Sequence, residues 1–361
     1  MSIRVRIAEA RRFIVDCLKA AGANETPAMQ QAELFIQADR MGHQSHGLNR
    51  LESCVNDITN KVCEPNNEPE IIKESRSTAW IDARNCLGAT SSQLGMDLAV
   101  TKAKDTGIGW VSVKGSNHNG MLGYWAKLAA KKGFIGLAFA NSAPLVAPTR
   151  SKKAALGTNP LAVVAPAGDD EFFFLEMATS AVTLGVIEMR RKVHMYIPDG
   201  WALGLDGRAT TDPEEAMRTS VLMPLGGGET TSGYKGYGLC AAVELLTGMC
   251  AGSNYAHHIQ PLGASTAENP ANLGQTFICV NPNSFAPGFH TRLLECMQYW
   301  RQLEPVDAEK PVIAPGDIEK MAAEATDARN AILYLPYQIS ICAALAEKLN
   351  VKHIETIVDK E

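Results

Sequence analysis

The chain has 361 residues, enough for two domains or for one large domain with insertions. Hydrophobic residues make up 46% and charged residues 20%, a composition typical of soluble globular proteins. The net charge of −5 argues against a nucleic-acid-binding protein, and no apolar run is long enough to span a membrane.

The first residues predict a structural helix rather than a targeting peptide. The stretch MSIRVRIAEARRFIVDCLKAAG is rich in Arg but contains Glu9, Asp16 and only one Ser, whereas transit peptides are poor in acidic residues. The nine cysteines include no C-x-x-C pair, which favours free thiols in a reducing cytosol over disulfides or structural zinc. We therefore expect a cytoplasmic protein without a metal site.

A second helix is predicted to follow, with Thr26 as its N-cap, Pro27 at its first position and Gly42 as its stop. The middle of the chain then predicts buried strands at 108–113, 134–140, 161–166 and 172–178 and helices at 120–133 and 235–252. The last third is mainly helical. Because strands and helices mix without a regular βαβ rhythm, we expect an α/β fold with flanking helices.

The stretch RMGHQSHGLNR comes directly after the second predicted helix. If a helix begins near Ser45, that residue can cap it, and His46 and Arg50 then share one face. An imidazole exchanges a proton near neutral pH, and a guanidinium binds a carboxylate through two parallel hydrogen bonds. This face would suit a 2-hydroxy or 2-oxo acid. A helix cap followed by a solvated Arg explains the same residues without any function.

A serine hydrolase is the competing class of enzyme for this stretch. Ser45 and His46 are adjacent, so in a helix they would point about 100° apart and could not hydrogen-bond as nucleophile and base. No G-x-S-x-G motif follows a predicted strand either. Both observations argue against a hydrolase.

The stretch KGSNHNGMLGYW lies between the predicted strand at 108–113 and the predicted helix at 120–133. The amides of this helix N-terminus would suit an anion such as a pyrophosphate, and Gly120 and Gly123 would let a ligand approach the backbone. His118 would be presented at the end of the loop. A polar turn whose histidine caps a backbone group fits the same residues equally well.

Two later stretches, ALGTNPLAVVAP and FFFLEMATSAVTLG, offer further candidates. Thr158 could donate to substrate or cofactor, although an Asn-Pro turn explains Asn159 and Pro160 without function. Glu176 could accept from ribose hydroxyls or be solvated. Lys235 could reach a phosphate or be an ordinary surface lysine.

The established phosphate motifs are missing. GYGLCA fits G-x-G-x-x-A, but a polar loop precedes it where a Rossmann site needs a strand. GETTSGYK departs from a P-loop because Tyr234 separates Gly233 from Lys235 and no Ser or Thr follows. The sequence therefore argues against both folds.

Taken in order, these stretches resemble the malate/L-lactate dehydrogenase family of the non-Rossmann type, which includes ureidoglycolate, sulfolactate and Δ1-piperideine-2-carboxylate enzymes. The matching text covers almost the whole chain, from GHQSHGLNR through GSNHNGMLGYWAKLAAKKG, ALGTNPLAVVAP and EMATSAVTLG to APGDIE and LPYQISICAALAEKLNV. The resemblance implies a malate/L-lactate dehydrogenase-like α/β fold and a homodimer that binds NAD or NADP. The expected regions are a helical substrate-side region at 1–75, a central cofactor-binding α/β domain at 76–290, and C-terminal helices at 291–361 that pack back on the N-terminal part.

The resemblance also implies roles for individual residues. It favours His118 as the acid/base, with His46 as orienter or alternative donor, whereas the residues alone leave the two histidines equal. Ser45 and His46 would lie at the nicotinamide and substrate, and Arg50 would bind the carboxylate. The remaining predicted substrate positions are Asn117 and Thr158, and the predicted cofactor positions are His46, Gly120, Gly123, Ser142, Glu176, Met177, Ala178 and Lys235.

Four departures from the family pattern leave the substrate and cofactor preference open. Asn119 stands where Phe is usual, which changes the wall beside His118, and Glu176 stands where Asp is usual. Gly204 replaces a common Asp, and the link GGGETTSGYKG is longer than usual. We expect an oxidoreductase that transfers hydride between NAD(P)H and a small 2-oxo or 2-hydroxy acid, malate or lactate-like. The alternatives are a cyclic imine reductase of the piperideine-2-carboxylate type and an inactive cofactor-binding relative.

Overall fold

A seven-stranded mixed β-sheet forms the centre of the protein in the computed structural model, which describes residues 2–168 and 170–357. The strands of the chain are β1 (Ile3–Arg6), β2 (Glu70–Glu74), β3 (Thr78–Asp82), β4 (Ile108–Ser116), β5 (Ile135–Ala140), β6 (Leu161–Pro166), β7 (Phe172–Met177), β8 (Ala202–Leu203), β9 (Ala209–Thr210), β10 (Leu273–Val280) and β11 (Ala331–Tyr334). The central sheet has the order β2-β3-β4-β10-β5-β6-β7. Only β3 and β4 run parallel within it, so the sheet is not of the parallel Rossmann type.

Helices cover both faces of this sheet. They are α1 (Ile7–Ala20), α2 (Glu25–Arg40), α3 (Leu51–Thr59), α4 (Gly88–Thr106), α5 (Leu122–Ala130), α6 (Leu184–Lys192), α7 (Pro213–Thr219), α8 (Gly233–Glu244), α9 (Phe289–Arg301), α10 (Asp317–Arg329) and α11 (Pro336–Leu349). The α/β class with flanking helices is therefore confirmed. No helix in the described ranges is long and apolar enough to cross a membrane.

The buried apolar runs of the middle segment form the strands and helices that their patterns predict. β6 spans the predicted 161–166, and β5 and β7 each differ from prediction by one residue. On one face of the sheet α4 and α5 bury Met96, Trp125 and Phe277. On the other face α8 places Val243 against Phe139. The sheet is thus buried on both sides, as near-continuous apolar strands require.

The two ends of the chain meet in a separate helical core. β1 pairs antiparallel with β11, and α1, α2 and α3 pack with α11 around Phe13, Phe35 and Tyr334. Within the region expected to be helical, residues 70–74 instead form the edge strand β2. The predicted domain boundaries stay a prediction. The N-terminal and C-terminal segments pack together into this helical core, which lies beside the sheet.

The second helix differs from its predicted start by a residue or two. It begins at Glu25, and the N-cap residue is Asn24 rather than Thr26. No side-chain hydrogen bond caps this end of the helix. It ends at Arg40, and Gly42 follows in the left-handed conformation at φ +87°. This stop is the predicted one, and it releases the chain into the segment that carries Ser45. All nine cysteines lie in described segments and are free.

Candidate active site

The segment after α2 forms two successive 3₁₀ turns, Gln44–His46 and Leu48–Arg50, and an α-helix begins only at Leu51. The prediction of a helix capped by Ser45 is therefore wrong. Gly47 separates the two turns with φ −99° and ψ −134°, a conformation outside the helical region. The chain is thus bent sharply where a regular helix was expected.

A buried carboxylate beneath the turn explains this bend. A Cβ atom on Gly47 would lie 1.8 Å from Oδ1 of Asp39, so only glycine fits. Oδ2 of Asp39 accepts the backbone amide of Leu48 at 3.0 Å and the hydroxyl of Tyr334 at 2.7 Å. Burial raises the pKa of Asp39 to about 7, against the opposing effect of these two hydrogen bonds. Asp39 therefore ties α2, the bent turn and β11 together.

The bend also brings Ser45 and His46 into contact. The Ser45 hydroxyl and Nδ1 of His46 are 2.9 Å apart, although the residues are adjacent. A 3₁₀ turn replaces the α-helix that would have kept them apart, so that argument against a hydrolase is wrong. Nε of Arg50 donates to the carbonyl oxygen of Ser45 at 2.8 Å. The Arg50 side chain thus lies against the backbone of Ser45, close enough for its charge to act on His46.

His118 reaches the same point from the other half of the molecule. It lies in the loop between β4 and α5, where Gly120 takes φ +67° and donates its amide to Nδ1 of His118 at 3.2 Å. The His118 and His46 rings stack with centroids 5.7 Å apart and planes 21° apart. The structure therefore brings the two dense polar stretches of the sequence together.

Electrostatics keeps both imidazoles neutral. Burial lowers the pKa of His46 to about 4, and the positive charges of Arg50 and His43 act in the same direction. Burial, with Arg50 and His46, holds the pKa of His118 well below its ordinary value. His118 nevertheless remains exposed to solvent. Protein surrounds the ring closely while water still reaches it, and the space that His118 shares with His46 and Arg50 is called the cleft below.

Arg50 is the cation of this cleft. It is half-buried, and desolvation lowers the pKa of its guanidinium. Among residues 2–168 and 170–357 no carboxylate forms an ion pair with it. Partly buried charges are normally paired, so the site calls for an anion from outside the chain. The same described ranges hold no group of His, Cys, Asp and Glu side chains arranged to bind a metal.

The other predicted positions line one edge of the central sheet. Because β4 and β5 both pair antiparallel with β10, they end at the same edge, where His118 and Ser142 follow them. Thr158 precedes β6 there, and Glu176, Met177 and Ala178 lie at the end of β7. From β4 to β7 this edge extends about 19 Å, four strand spacings. It is long enough for an extended ligand.

The hydroxyls of Ser142 and Thr158 lie 3.4 Å apart on this edge, and Ser142 Oγ accepts the amide of Thr158 at 3.1 Å. Behind them lies a buried carboxylate that no sequence motif indicated. Glu244 accepts from Asn141 at 2.8 Å and from Asn159 at 2.7 Å, and it also accepts the Ala256 amide at 3.1 Å. One Glu in an apolar helix carries no sequence signal for this role.

Glu176 occupies the helix end that the sequence analysis assigned to phosphate. It accepts the amides of Leu122 at 3.3 Å and of Gly123, the latter by a short hydrogen bond. Burial raises the pKa of Glu176 to about 7, although these hydrogen bonds and the charge of His43 oppose the rise. The amides at this end of α5 thus serve the protein's own carboxylate, and the pyrophosphate prediction for them is wrong.

The structure also places three other polar residues that the sequence analysis singled out. Nδ2 of Asn117 donates to the carbonyl oxygens of Asn85, at 3.2 Å, and Cys86, at 2.9 Å, so this nitrogen holds the loop, and contact of Asn117 with a substrate stays a prediction. Asn119 is buried, so it does not form the wall beside His118. Lys235 is exposed on the first turn of α8.

Comparison with known proteins establishes the family. A family model described as malate/L-lactate dehydrogenase matches residues 5–335. The chain belongs to the malate/L-lactate dehydrogenase family. Malate dehydrogenase from Pyrococcus horikoshii is 40% identical over 76% of this chain and 75% of that protein. L-sulfolactate dehydrogenase from Methanocaldococcus jannaschii is 34% identical over 86% of this chain and 87% of that protein.

Solved structures of dehydrogenases share the fold. Malate dehydrogenase from Entamoeba histolytica superimposes with a TM-score of 0.92, covers 98% of this chain and 99% of its own, and is 27% identical. The predicted family is confirmed, and so is the predicted activity class, an oxidoreductase of small 2-hydroxy and 2-oxo acids. Membership, rather than the Ser45–His46 geometry, excludes the hydrolase.

Membership in this dehydrogenase family implies a nicotinamide cofactor. The residues of the cleft fit such a group. The ring of His118 is exposed and stacks with that of His46, so a planar ring could pack beside it, and the half-buried hydroxyls of Ser142 and Thr158 suit ribose or carboxamide atoms. The edge from β4 to β7 supplies the length that a dinucleotide needs.

Asp39→Asn is expected to remove a pH dependence of stability. The pKa of Asp39 rises from 3.8 to about 7 on folding, so between these values the folded protein keeps a proton that the unfolded chain releases. The free energy of unfolding therefore falls as pH rises through this interval. Asn accepts from Leu48 and Tyr334 at every pH, and chemical denaturation should show a flatter slope. Asp105→Asn, on the exposed side of α4, is the control; an unchanged slope in Asp39→Asn would contradict the assignment.

Proposed function

We propose that the protein interconverts a small 2-hydroxy acid and its 2-oxo acid, malate or lactate-like, with NAD or NADP as hydride carrier. The observation that supports it most strongly is the guanidinium of Arg50, which has no carboxylate partner among the described residues and lies beside two neutral imidazoles. A substrate carboxylate completes the charge balance on Arg50 with two parallel hydrogen bonds. The reacting carbon, one bond away, then faces His46 and His118.

Substrate charge and histidine protonation are coupled in this arrangement. The positive charge of Arg50 contributes to the lowered pKa of both imidazoles. A bound carboxylate offsets that charge and so removes one cause of the lowered pKa of His46, the other main cause being burial. Proton transfer is most efficient when the pKa of the acid or base lies near the working pH. The nicotinamide ring, when bound, supplies or accepts the hydride.

The hydrogen bonds at Nδ1 give the two histidines different roles. Nδ1 of His118 accepts the amide of Gly120, so its neutral ring carries the proton on Nε2, and a second proton on Nδ1 would oppose that amide. The Ser45 hydroxyl can donate to or accept from Nδ1 of His46. We therefore assign proton transfer to His46 and a fixed hydrogen bond from Nε2 of His118 to the substrate oxygen. The family resemblance favours the opposite division.

The proposal includes a cytoplasmic homodimer. Support for a second copy comes from α8 and the π-helical turn after it, where Tyr234, Leu239, Leu245 and Met249 expose large apolar side chains on one element. Several exposed large apolar side chains close together in the chain favour association. Sedimentation at micromolar concentration would contradict the proposal if it showed only a monomer.

Purified protein should oxidise NADH or NADPH when it is given oxaloacetate, pyruvate or sulfopyruvate. Arg50→Lys removes one of two parallel hydrogen bonds, so we expect the KM for the acid to rise about 10- to 100-fold, with little change for Arg76→Lys on an exposed turn. The absorbance of NADH or NADPH follows the reaction and gives the KM of the wild type and of each variant. Turnover of cyclic imines alone would favour an imine reductase, and cofactor binding without any turnover would favour an inactive relative.

Replacing each histidine by Gln separates their roles, because the Gln amide keeps an N–H near the position of Nε2. His46→Gln should lower kcat by about 10²–10⁴ and remove the histidine limb of its pH profile. His118→Gln keeps a hydrogen-bond donor and should stay within about tenfold of the wild type, with that limb intact. Steady-state kinetics across pH measures this. The reverse pattern would assign proton transfer to His118.

A further inference from the structure

A buried chain of hydrogen bonds connects the two residues on either side of His118. Nδ2 of Asn119 donates to Oγ of Ser92 at 3.0 Å, and Ser92 Oγ donates to Oε1 of Gln275 at 3.2 Å. Nε2 of Gln275 then donates to the carbonyl oxygen of Asn117 at 2.8 Å. Ser92, Gln275 and Asn119 are 0%, 1% and 3% exposed, so water does not substitute for any of these bonds. We call this chain the Ser92 relay.

The direction of every bond in the relay is fixed. The carbonyl oxygen of Asn117 can only accept, so the amide nitrogen of Gln275 faces it and Oε1 of Gln275 faces Ser92. The single hydroxyl proton of Ser92 is then committed to Gln275. The Ser92 oxygen must accept, which fixes the orientation of the Asn119 amide. Each group has the partner that its chemistry requires.

The relay joins separate elements to one loop. Ser92 lies on α4, Gln275 lies on β10, and the loop of His118 runs between β4 and α5. Nε1 of Trp125 also donates to the carbonyl oxygen of Asn119 at 2.8 Å. The backbone is therefore held on both sides of His118. Its imidazole is the part left facing the cleft and His46.

We propose that Ser92, Asn119 and Gln275 are positioning residues that hold the His118 ring in register with His46. The positioning of the His118 ring is inferred from the hydrogen bonds alone. The expected effect on turnover rests on the proposed function. Small displacements of a catalytic group from its working geometry reduce rates strongly. Asn119 accordingly acts from behind the loop, and an apolar side chain at that position would leave the Ser92 oxygen without a donor.

Ser92→Ala removes the middle of the relay and tests the proposal. We expect the ¹³Cε1–¹Hε1 resonance of His118 to shift or broaden in the cofactor-free protein, and kcat to fall about threefold to tenfold, no further than in His118→Gln, while the KM for NADH changes little. Ser112→Ala is the matched control, because Ser112 is also buried and bonds Thr276 on β10 at 3.3 Å outside the relay. It should leave both readouts near the wild type.

Asn119→Ala and the Ser92→Ala/Asn119→Ala double variant distinguish a relay from general loosening. Both single changes break the same chain, so the double variant should displace the His118 resonance no further than the larger single effect. Full additivity, or an unmoved resonance in Ser92→Ala, would overturn the proposal. A moved resonance with unchanged turnover would support the relay and contradict the role of His118 in the proposed function. If the wild type lacked turnover, the His118 resonance would still test whether the relay positions the ring.

Discussion

The buried carboxylate of Asp39 is the constraint on which the site depends. It accepts from Leu48 and Tyr334 at once, and its Oδ1 excludes any side chain at position 47. These contacts fix the bent turn against α2 and β11, and the turn presents Ser45, His46 and Arg50 toward the sheet. Without this buried anchor, two short 3₁₀ turns would have little reason to keep one shape, because such turns are weak on their own.

Opposite this turn, the sheet offers a complementary surface. His118 follows β4, and the hydroxyls of Ser142 and Thr158 lie further along the same edge. Buried polar groups hold each loop from behind, Glu244 beneath Ser142 and Thr158, and Gln275 beneath His118. These hydrogen bonds hold the sheet side of the cleft in place. Its charge is unbalanced until an anion reaches Arg50, which suits a site that binds a carboxylate substrate.

Sequence reasoning located the main chemical groups because they are dense and lie beside clear elements. Buried apolar runs predicted the strands β5, β6 and β7 closely, and the polar stretches around His46 and His118 stood out between such elements. The ordered resemblance predicted the family and the absence of a Rossmann sheet. Periodicity and motif order depend on residues that are close together in the chain, so they predict features that are local in sequence.

The failures have one physical origin, contacts between residues distant in sequence. A helix at Ser45 was excluded by the packing of Gly47 on Asp39, and a phosphate site at α5 was filled by Glu176 from β7. Asn117 and Asn119 lie in a stretch dense in polar residues and resemble ligand-binding groups in the sequence. In the structure the nitrogens of their side-chain amides donate to groups of the protein that hold the loop. A polar residue has the same identity in a cleft and behind it, so only the fold decides which role it takes.

A crystal structure of the protein with NADH and oxamate, an analogue of a 2-oxo acid that resists reduction, tests the central claim most directly. The account predicts that the oxamate carboxylate lies on Arg50 and that its C2 oxygen lies within about 3.2 Å of Nε2 of both His46 and His118. Oxamate bound away from Arg50, or in contact with neither imidazole, would contradict the claim that the two halves of the chain build one hydride-transfer site.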